Sequence, residues 1–155
     1  MSKFYNEIAE KYDYIFPLSP THQTFFASEL CGKTVLDVGA ATGNLTAYLL
    51  SQGYEVTGID LSERLITEAA KKGIVVQPLN MLDIDQLAIF DNIVCIGNTL
   101  PHLDSKTSVQ LFLQKAYGQL SQGGKLILQL VNFQKYFAQQ QDDYLGNLPL
   151  IANDK

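Results

Sequence analysis

Apolar positions follow two rhythms that take turns along the chain. Short runs of consecutive apolar residues, the mark of buried strands, alternate with stretches where they recur every three or four residues, the mark of amphipathic helices. The first stretch, residues 4–16, carries Tyr5, Ile8, Tyr12, Ile15 and Phe16 at helical spacing and is broken by Pro17 and Pro20. A short helix over 21–30 follows. A strand is predicted over 34–38, then a helix after Gly43 that buries Leu45, Tyr48 and Leu49 and stops at Gly53. Residues 55–59 form the second strand. Ser62 then caps a helix through Lys72, with Leu61 and Ile66 spaced as a hydrophobic staple and Gly73 as its stop. A third strand covers 75–78 and a fourth 90–96, with Asp91 and Asn92 at its mouth. An amphipathic helix over 108–120 leads through Gly123-Gly124 into a fifth strand over 125–131.

Strands that alternate with helices, and that are apolar nearly throughout, call for a parallel sheet covered on both faces. The expected fold is therefore α/β, doubly wound. In such sheets a ligand sits beyond the carboxyl ends of the strands. Four segments fall at those ends: residues 39–43, Asp60, residues 80–83 and residues 97–102.

Composition narrows the classes. With 155 residues, 46% of them hydrophobic, the chain suits one domain with a sizeable core. A net charge of -5 argues against a general nucleic-acid or anionic-membrane surface, which needs basic residues. Cys31 and Cys95 show no pairing pattern and read as reduced core thiols, and no metal site is expected. Neither a signal peptide nor an apolar run of about 20 residues is evident, so a cytoplasmic setting is expected.

The segment Val35-Leu36-Asp37-Val38-Gly39-Ala40-Ala41-Thr42-Gly43-Asn44 is the most informative. An apolar strand runs into small residues and then a helix, which suits close approach of backbone to a ligand. A dinucleotide fingerprint fits poorly, since Ala41 and Asn44 stand where its second and third glycines would be. Asp37-x-Gly39-x-Ala41-x-Gly43 instead resembles the first motif of the class I S-adenosylmethionine (SAM)-dependent methyltransferases, with Ala41 in place of the usual second glycine. Residues 56–65, 79–84, 90–103 and 120–128 are similar to that family's later motifs.

The resemblance implies a Rossmann-like sheet of order 3-2-1-4-5 beneath an N-terminal helical lid, residues 1–30 forming the cap and 31–155 the SAM-binding domain. It implies SAM as cofactor and S-adenosylhomocysteine (SAH) as product. Asp37, Gly39, Ala40, Ala41 and Gly43 would form the loop around the methyl donor, and Gly97 is a further cofactor-binding candidate. Asp60 would accept from both ribose hydroxyls. Asn80 would accept from the adenine amino group where the family usually has an acidic residue, with Leu61, Met81 and Leu82 around the ring and Arg64 at its edge.

The run Gly97-Asn98-Thr99-Leu100-Pro101-His102-Leu103 lacks the Asn-Pro-Pro-Tyr clamp of enzymes that methylate nucleic-acid bases. It is similar to the glycine and sarcosine N-methyltransferase branch, as is Asn132-Phe133, which implies a small-molecule acceptor. Tyr5, Tyr12 and Asn98 are candidates to cover the donor or meet the acceptor. His102 is a candidate general base and His22 a lesser one. The family continues past the fifth strand with a helix and two antiparallel strands. Here Phe133, Tyr136 and Phe137 begin such a helix, residues 144–151 an extended segment, and strands six and seven are expected to be lacking. The fifth strand would then be an edge, open to a homodimer or to the C-terminal segment. Two alternatives stay open: a non-catalytic SAM-binding or interaction module, and an NAD-dependent oxidoreductase.

Overall fold

The computed structural model describes residues 3–132. Five strands, β1 (Thr34–Val38), β2 (Glu55–Asp60), β3 (Val76–Pro78), β4 (Phe90–Cys95) and β5 (Leu120–Leu128), form one sheet in the order β3-β2-β1-β4-β5. Every neighbouring pair is parallel. The expected doubly wound, Rossmann-like sheet is thus present, with β5 at one edge.

The near-continuous apolar strands are explained by burial on two faces. Leu36 and Val38 of β1 with Ile93 and Cys95 of β4 meet Phe112 and Ala116 of α6 (Lys106–Gly118). The alternate residues Val35 and Val94 meet Phe26 of α3 (Pro20–Glu29) and Leu45 and Leu49 of α4 (Asn44–Ser51). A two-residue period on a strand sends neighbours to opposite faces, so both must be apolar. Each buried Val, Leu, Ile or Phe among them contributes roughly 1.5–3 kcal/mol.

The polar pair at the start of β4 ties the strand mouths together. Asp91 Oδ2 accepts from the N–H groups of Lys33 at 2.7 Å and Thr34 at 3.1 Å. Buried Asn92 donates to the Cys31 carbonyl at 2.6 Å and accepts from its N–H at 3.1 Å. Hydrogen bonds hold the Asp91 carboxyl well down, at about 2, with the Lys33 N–H the largest contributor.

Several boundaries differ from expectation. The single helix expected over 4–16 is three short pieces: α1 (Lys3–Ile8), a 3₁₀ turn (Ala9–Lys11) and α2 (Tyr12–Ile15). Ala9 at the turn is buried with Ala41 and Leu65, so the segment bends to follow the surface it covers. Helices α3 and α6 begin earlier than expected because Ser19 and Ser105 cap them, accepting from His22 N at 3.2 Å and Ser108 N at 3.0 Å. Helix α5 (Glu63–Lys71) is capped by Ser62 as expected. Leu61 is half exposed rather than stapled, while Ile66 packs on Ala40, Ala69 and Val76.

Strand β5 starts at Leu120, not at residue 125, because Leu120 already pairs with Phe90 before an irregularity shifts the register to Asn92 and Lys125. The helix expected from Phe133, the extended segment over 144–151 and Phe133 of the Asn-aromatic pair lie outside the described residues.

Candidate functional site

Two adjoining cavities open at the carboxyl end of the sheet. The first, about 200 Å³, lies between the loops after β1, β2, β3 and β4 and beneath the N-terminal segment. It is lined by Val38, Gly39, Ala41, Ile59, Asp60, Leu61, Leu65, Leu79, Met81, Gly97, Thr99 and His102, with Tyr5 and Tyr12 above. The second, about 330 Å³, shares Tyr12, Gly39, Ala41 and Gly97 with it. Its other walls include Asp37, Ala40, Thr42, Asn44 and Leu45, residues 15–18, His22, Ile96 and Gln129.

The loop after β1 is built inward. Gly39 N and Ala40 N both donate to the Ile59 carbonyl at 2.9 Å, and Ala41 N donates to Asp60 Oδ2 at 2.9 Å. β2 thus takes all three N–H groups. What the loop offers the cavity is bare backbone. Gly39 has φ +77°, and a Cβ there would lie 2.3 Å from Thr99 Oγ1, so only glycine fits. Ala41 is buried at φ +50°, where the missing glycine costs roughly 1 kcal/mol. Its bond to Asp60 and its packing with Ala9 and Leu65 offset that strain.

Asp60 joins two loops. Oδ2 takes Ala41 N and Oδ1 takes Ser62 N at 2.8 Å, which leaves each oxygen a lone pair for a further donor. Asp37 is buried at the end of β1 and accepts from Thr46 Oγ1 at 2.7 Å. Burial pushes its carboxyl up to about 6; the Thr46 bond opposes this and the Asp60 charge adds to it. Burial, with the Asp37 charge behind it, also raises the Cys95 thiol to about 12, which makes it an inert core group.

The N-terminal segment is fastened on both sides of the first cavity. Tyr5 and His102 share a hydrogen bond at 3.0 Å and meet edge to face at 5.4 Å. Arg64 donates to the Asn6 carbonyl at 2.7 Å. Asp13 accepts from Thr42 and, at 2.6 Å, from Lys72. Burial of Asp13 pushes its carboxyl up, and the bonds from Lys72 and Thr42 outweigh this and hold it low. Burial raises both the Tyr5 and Tyr12 hydroxyls, assisted in each case by Asp60, so both stay protonated donors.

Of the residues singled out in the sequence, Tyr5, Tyr12, Gly39, Ala41, Asp60, Leu61, Met81, Gly97 and His102 meet at the first cavity. Asp37 and Ala40 line the second. Five line neither. Gly43 is the left-handed N-cap of α4 at φ +77°. Arg64 is drawn to Asn6, and Asn80 Oδ1 caps the turn that follows it by accepting from Leu82 N at 2.9 Å. Leu82 packs on the core. Asn98, at φ +67° beside Gly97, accepts from Val131 N at 3.0 Å and so anchors the loop after β4 to the chain beyond β5.

Sequence reasoning did not select Thr99, Leu79, Ile59 or Leu65, which line the first cavity. The alternation of β2 and the core face of α5 were the available signals. The contacts of Asp13 with Thr42 and Lys72 had none, being 29 and 59 residues apart.

The profile of the methyltransferase domain family matches residues 36–126, from β1 into β5. The chain belongs to that family. It is 26% identical over 148 residues to glycine/sarcosine/dimethylglycine N-methyltransferase of Actinopolyspora halophila, covering 86% of this chain and 26% of that protein. It is 31% identical over 112 residues to a ubiquinone biosynthesis O-methyltransferase of Xanthomonas oryzae, covering 67% and 45%. Among solved structures it resembles a SAM-dependent methyltransferase from Bacteroides fragilis in complex with SAH. There the TM-score is 0.63 at 25% identity, over 73% of this chain and 48% of that one. The chain spans about half the length, or less, of the curated relatives it matches. No helix among the described residues is long and apolar enough to cross a membrane.

Proposed function

We propose that this domain binds SAM in the first cavity and transfers its methyl group to the nitrogen or oxygen of a small molecule, releasing SAH. The carrying observation is Asp60: a carboxylate at the end of β2 lines the cavity with a lone pair free on each oxygen. That suits the two hydroxyls of a ribose and disfavours a 2′-phosphate. The apolar walls from Ile59, Leu61, Leu79 and Met81 suit an adenine ring. Cleared of side chains by Gly39 and Gly97, the neighbouring loops would take the amino-acid end of the donor, with the Asp37 charge behind them.

When bound, the cofactor supplies a methyl carbon on positively charged sulfur. That carbon would pass to the nucleophile as the carbon–sulfur electron pair stays on sulfur, and the nucleophile's proton would be left for the surroundings to take up. Because the leaving group is good, the chain's task is alignment and exclusion of water. Tyr5 and Tyr12 cover the cavity, held by His102, Arg64 and Asp13 through the bonds described. His102 holds Tyr5 through Nε2, so to serve as a general base it would first have to release that hydroxyl. The free thiols Cys31 and Cys95 support a reducing, cytoplasmic setting. The edge of β5 is a site for pairing with a second copy, which concentration-dependent sedimentation would show and a strict monomer would exclude.

Calorimetry tests the reading. SAM and SAH should give heat and NAD none, and the reverse result would overturn the assignment. Asp60→Ala should weaken SAH binding by roughly two orders of magnitude, the worth of charge-assisted hydrogen bonds. Chromatographic detection of SAH with pooled small-molecule nucleophiles then separates an enzyme from a binder.

A further inference from the structure

The segment after β3 is held in place from outside. Residues Met81–Gln86 form a 3₁₀ turn that Asp83 interrupts at φ −117° and ψ 17°, and such turns have poor hydrogen-bond geometry of their own. Helix α6 supplies the missing support. Lys115 donates through Nζ to the Leu82 carbonyl and, at 2.7 Å, to Asp85 Oδ1. Gln119, at the i+4 position and so on the same face, donates through Nε2 to the Leu87 carbonyl at 2.7 Å and the Ala88 carbonyl at 3.2 Å. The two side chains grip opposite ends of residues 82–88.

Those ends hold different things. Leu82 is fixed through both of its backbone groups, its N–H by Asn80 Oδ1 at 2.9 Å and its carbonyl by Lys115. Met81 just before it, and Leu79 before that, line the first cavity. Leu87 packs on the core, and neither it nor Ala88 lines that cavity. Lys115 is partly buried, with its side chain 23% exposed, and as a charged donor it bonds a carbonyl more strongly than a neutral amide does. It lines neither cavity itself.

We propose that Lys115 is a positioning residue for the base of the methyl donor: by fixing Leu82 it sets where Leu79 and Met81 meet the ring. The proposal rests on the first cavity being the SAM site. Asp60 and the loop after β1 lie on other strands, so the ribose and the amino-acid end of the donor do not depend on Lys115.

Three probes, titrated into the full chain by calorimetry and nuclear magnetic resonance, separate these parts. SAH carries all of them, adenosine lacks the amino-acid end, and S-ribosylhomocysteine lacks only the base. Lys115→Met keeps an unbranched apolar stem and removes the donor. It should weaken SAH and adenosine by the same factor, roughly ten-fold for one charged hydrogen bond, and leave S-ribosylhomocysteine within about two-fold. Gln119→Leu, which removes the grip on the far end, should lower the unfolding temperature and leave SAH binding within about two-fold. Should Lys115→Met not fold, Asp85→Ala at a more exposed position loosens Lys115 and should give the same pattern at roughly three-fold. Equal loss of S-ribosylhomocysteine, equal loss in Gln119→Leu, or unchanged SAH binding in the variant that folds overturns the role of Lys115. Failure of the unaltered chain to bind SAH overturns the SAM reading beneath it.

Discussion

Replacing Asp37 by asparagine isolates what its buried carboxylate costs the fold. Asp37 is fully enclosed at the end of β1, accepts from Thr46 Oγ1 at 2.7 Å, and has its carboxyl raised by burial from 3.8 to about 6. The folded state therefore holds this proton more tightly than the unfolded chain does. Between about pH 4 and pH 6 the folded state keeps the proton while the unfolded chain has lost it, so stability falls as pH rises, by about 1.4 kcal/mol per unit. Over the whole window the loss is about 3 kcal/mol, and above it no further loss comes from this group. An asparagine in this place would keep an oxygen for Thr46 and remove the charge. The difference in unfolding free energy, variant minus wild type, should therefore rise by about 3 kcal/mol from about pH 4 to about pH 7 and then level off. Any penalty for the new amide N–H₂ shifts the whole curve without tilting it, and acid-sensitive groups such as Asp91 cancel in the difference. Urea denaturation at a series of pH values measures this. A difference independent of pH would refute the argument that burial dominates at Asp37.

Two further substitutions probe the loop and its cover. Gly39→Ala should cost roughly 2–4 kcal/mol, because its Cβ meets Thr99 at 2.3 Å and φ is +77°, whereas Gly53→Ala, at φ +87° with nothing within 4 Å, should cost about 1 kcal/mol. Equal losses in denaturant titrations would remove Thr99 from the explanation. Tyr5→Phe deletes the hydroxyl shared with His102 and should change stability by under about 1 kcal/mol while weakening SAH binding several-fold, read by thermal unfolding and calorimetry. Unchanged binding would mean that the N-terminal segment merely packs on the domain.

Local patterns carried most of the fold. Apolar runs of strand length, Ser62 before α5 and the glycines at positions 53 and 73 are signals written within a few residues of where they act. The boundaries that shifted have long-range causes. The first helix breaks at Ala9 because it must follow a surface made by Ala41 and Leu65, and β5 begins early because Leu120 finds Phe90. The same division runs through the site. Strand ends marked the segments that carry Gly39, Asp60, Met81 and His102, since ligands in a parallel sheet gather there, and the family resemblance singled out Met81 within its segment. Spacing could not say that Asn80 and Asn98 spend their side-chain oxygens on Leu82 and Val131, or that Arg64 turns to Asn6.

By itself, then, the amino-acid order determined the class of fold, the end of the sheet where a ligand belongs and the family to which the loop after β1 is akin. Periodicity and turn chemistry act locally and survive without knowledge of neighbours. Tertiary structure alone decided that the loop's N–H groups bond to β2, that the N-terminal segment is tied down by Asp13, Arg64 and Tyr5, and that Asp37 faces a second cavity. Each depends on which groups compete for one donor or are shut off from water, and that is settled only when distant segments pack together.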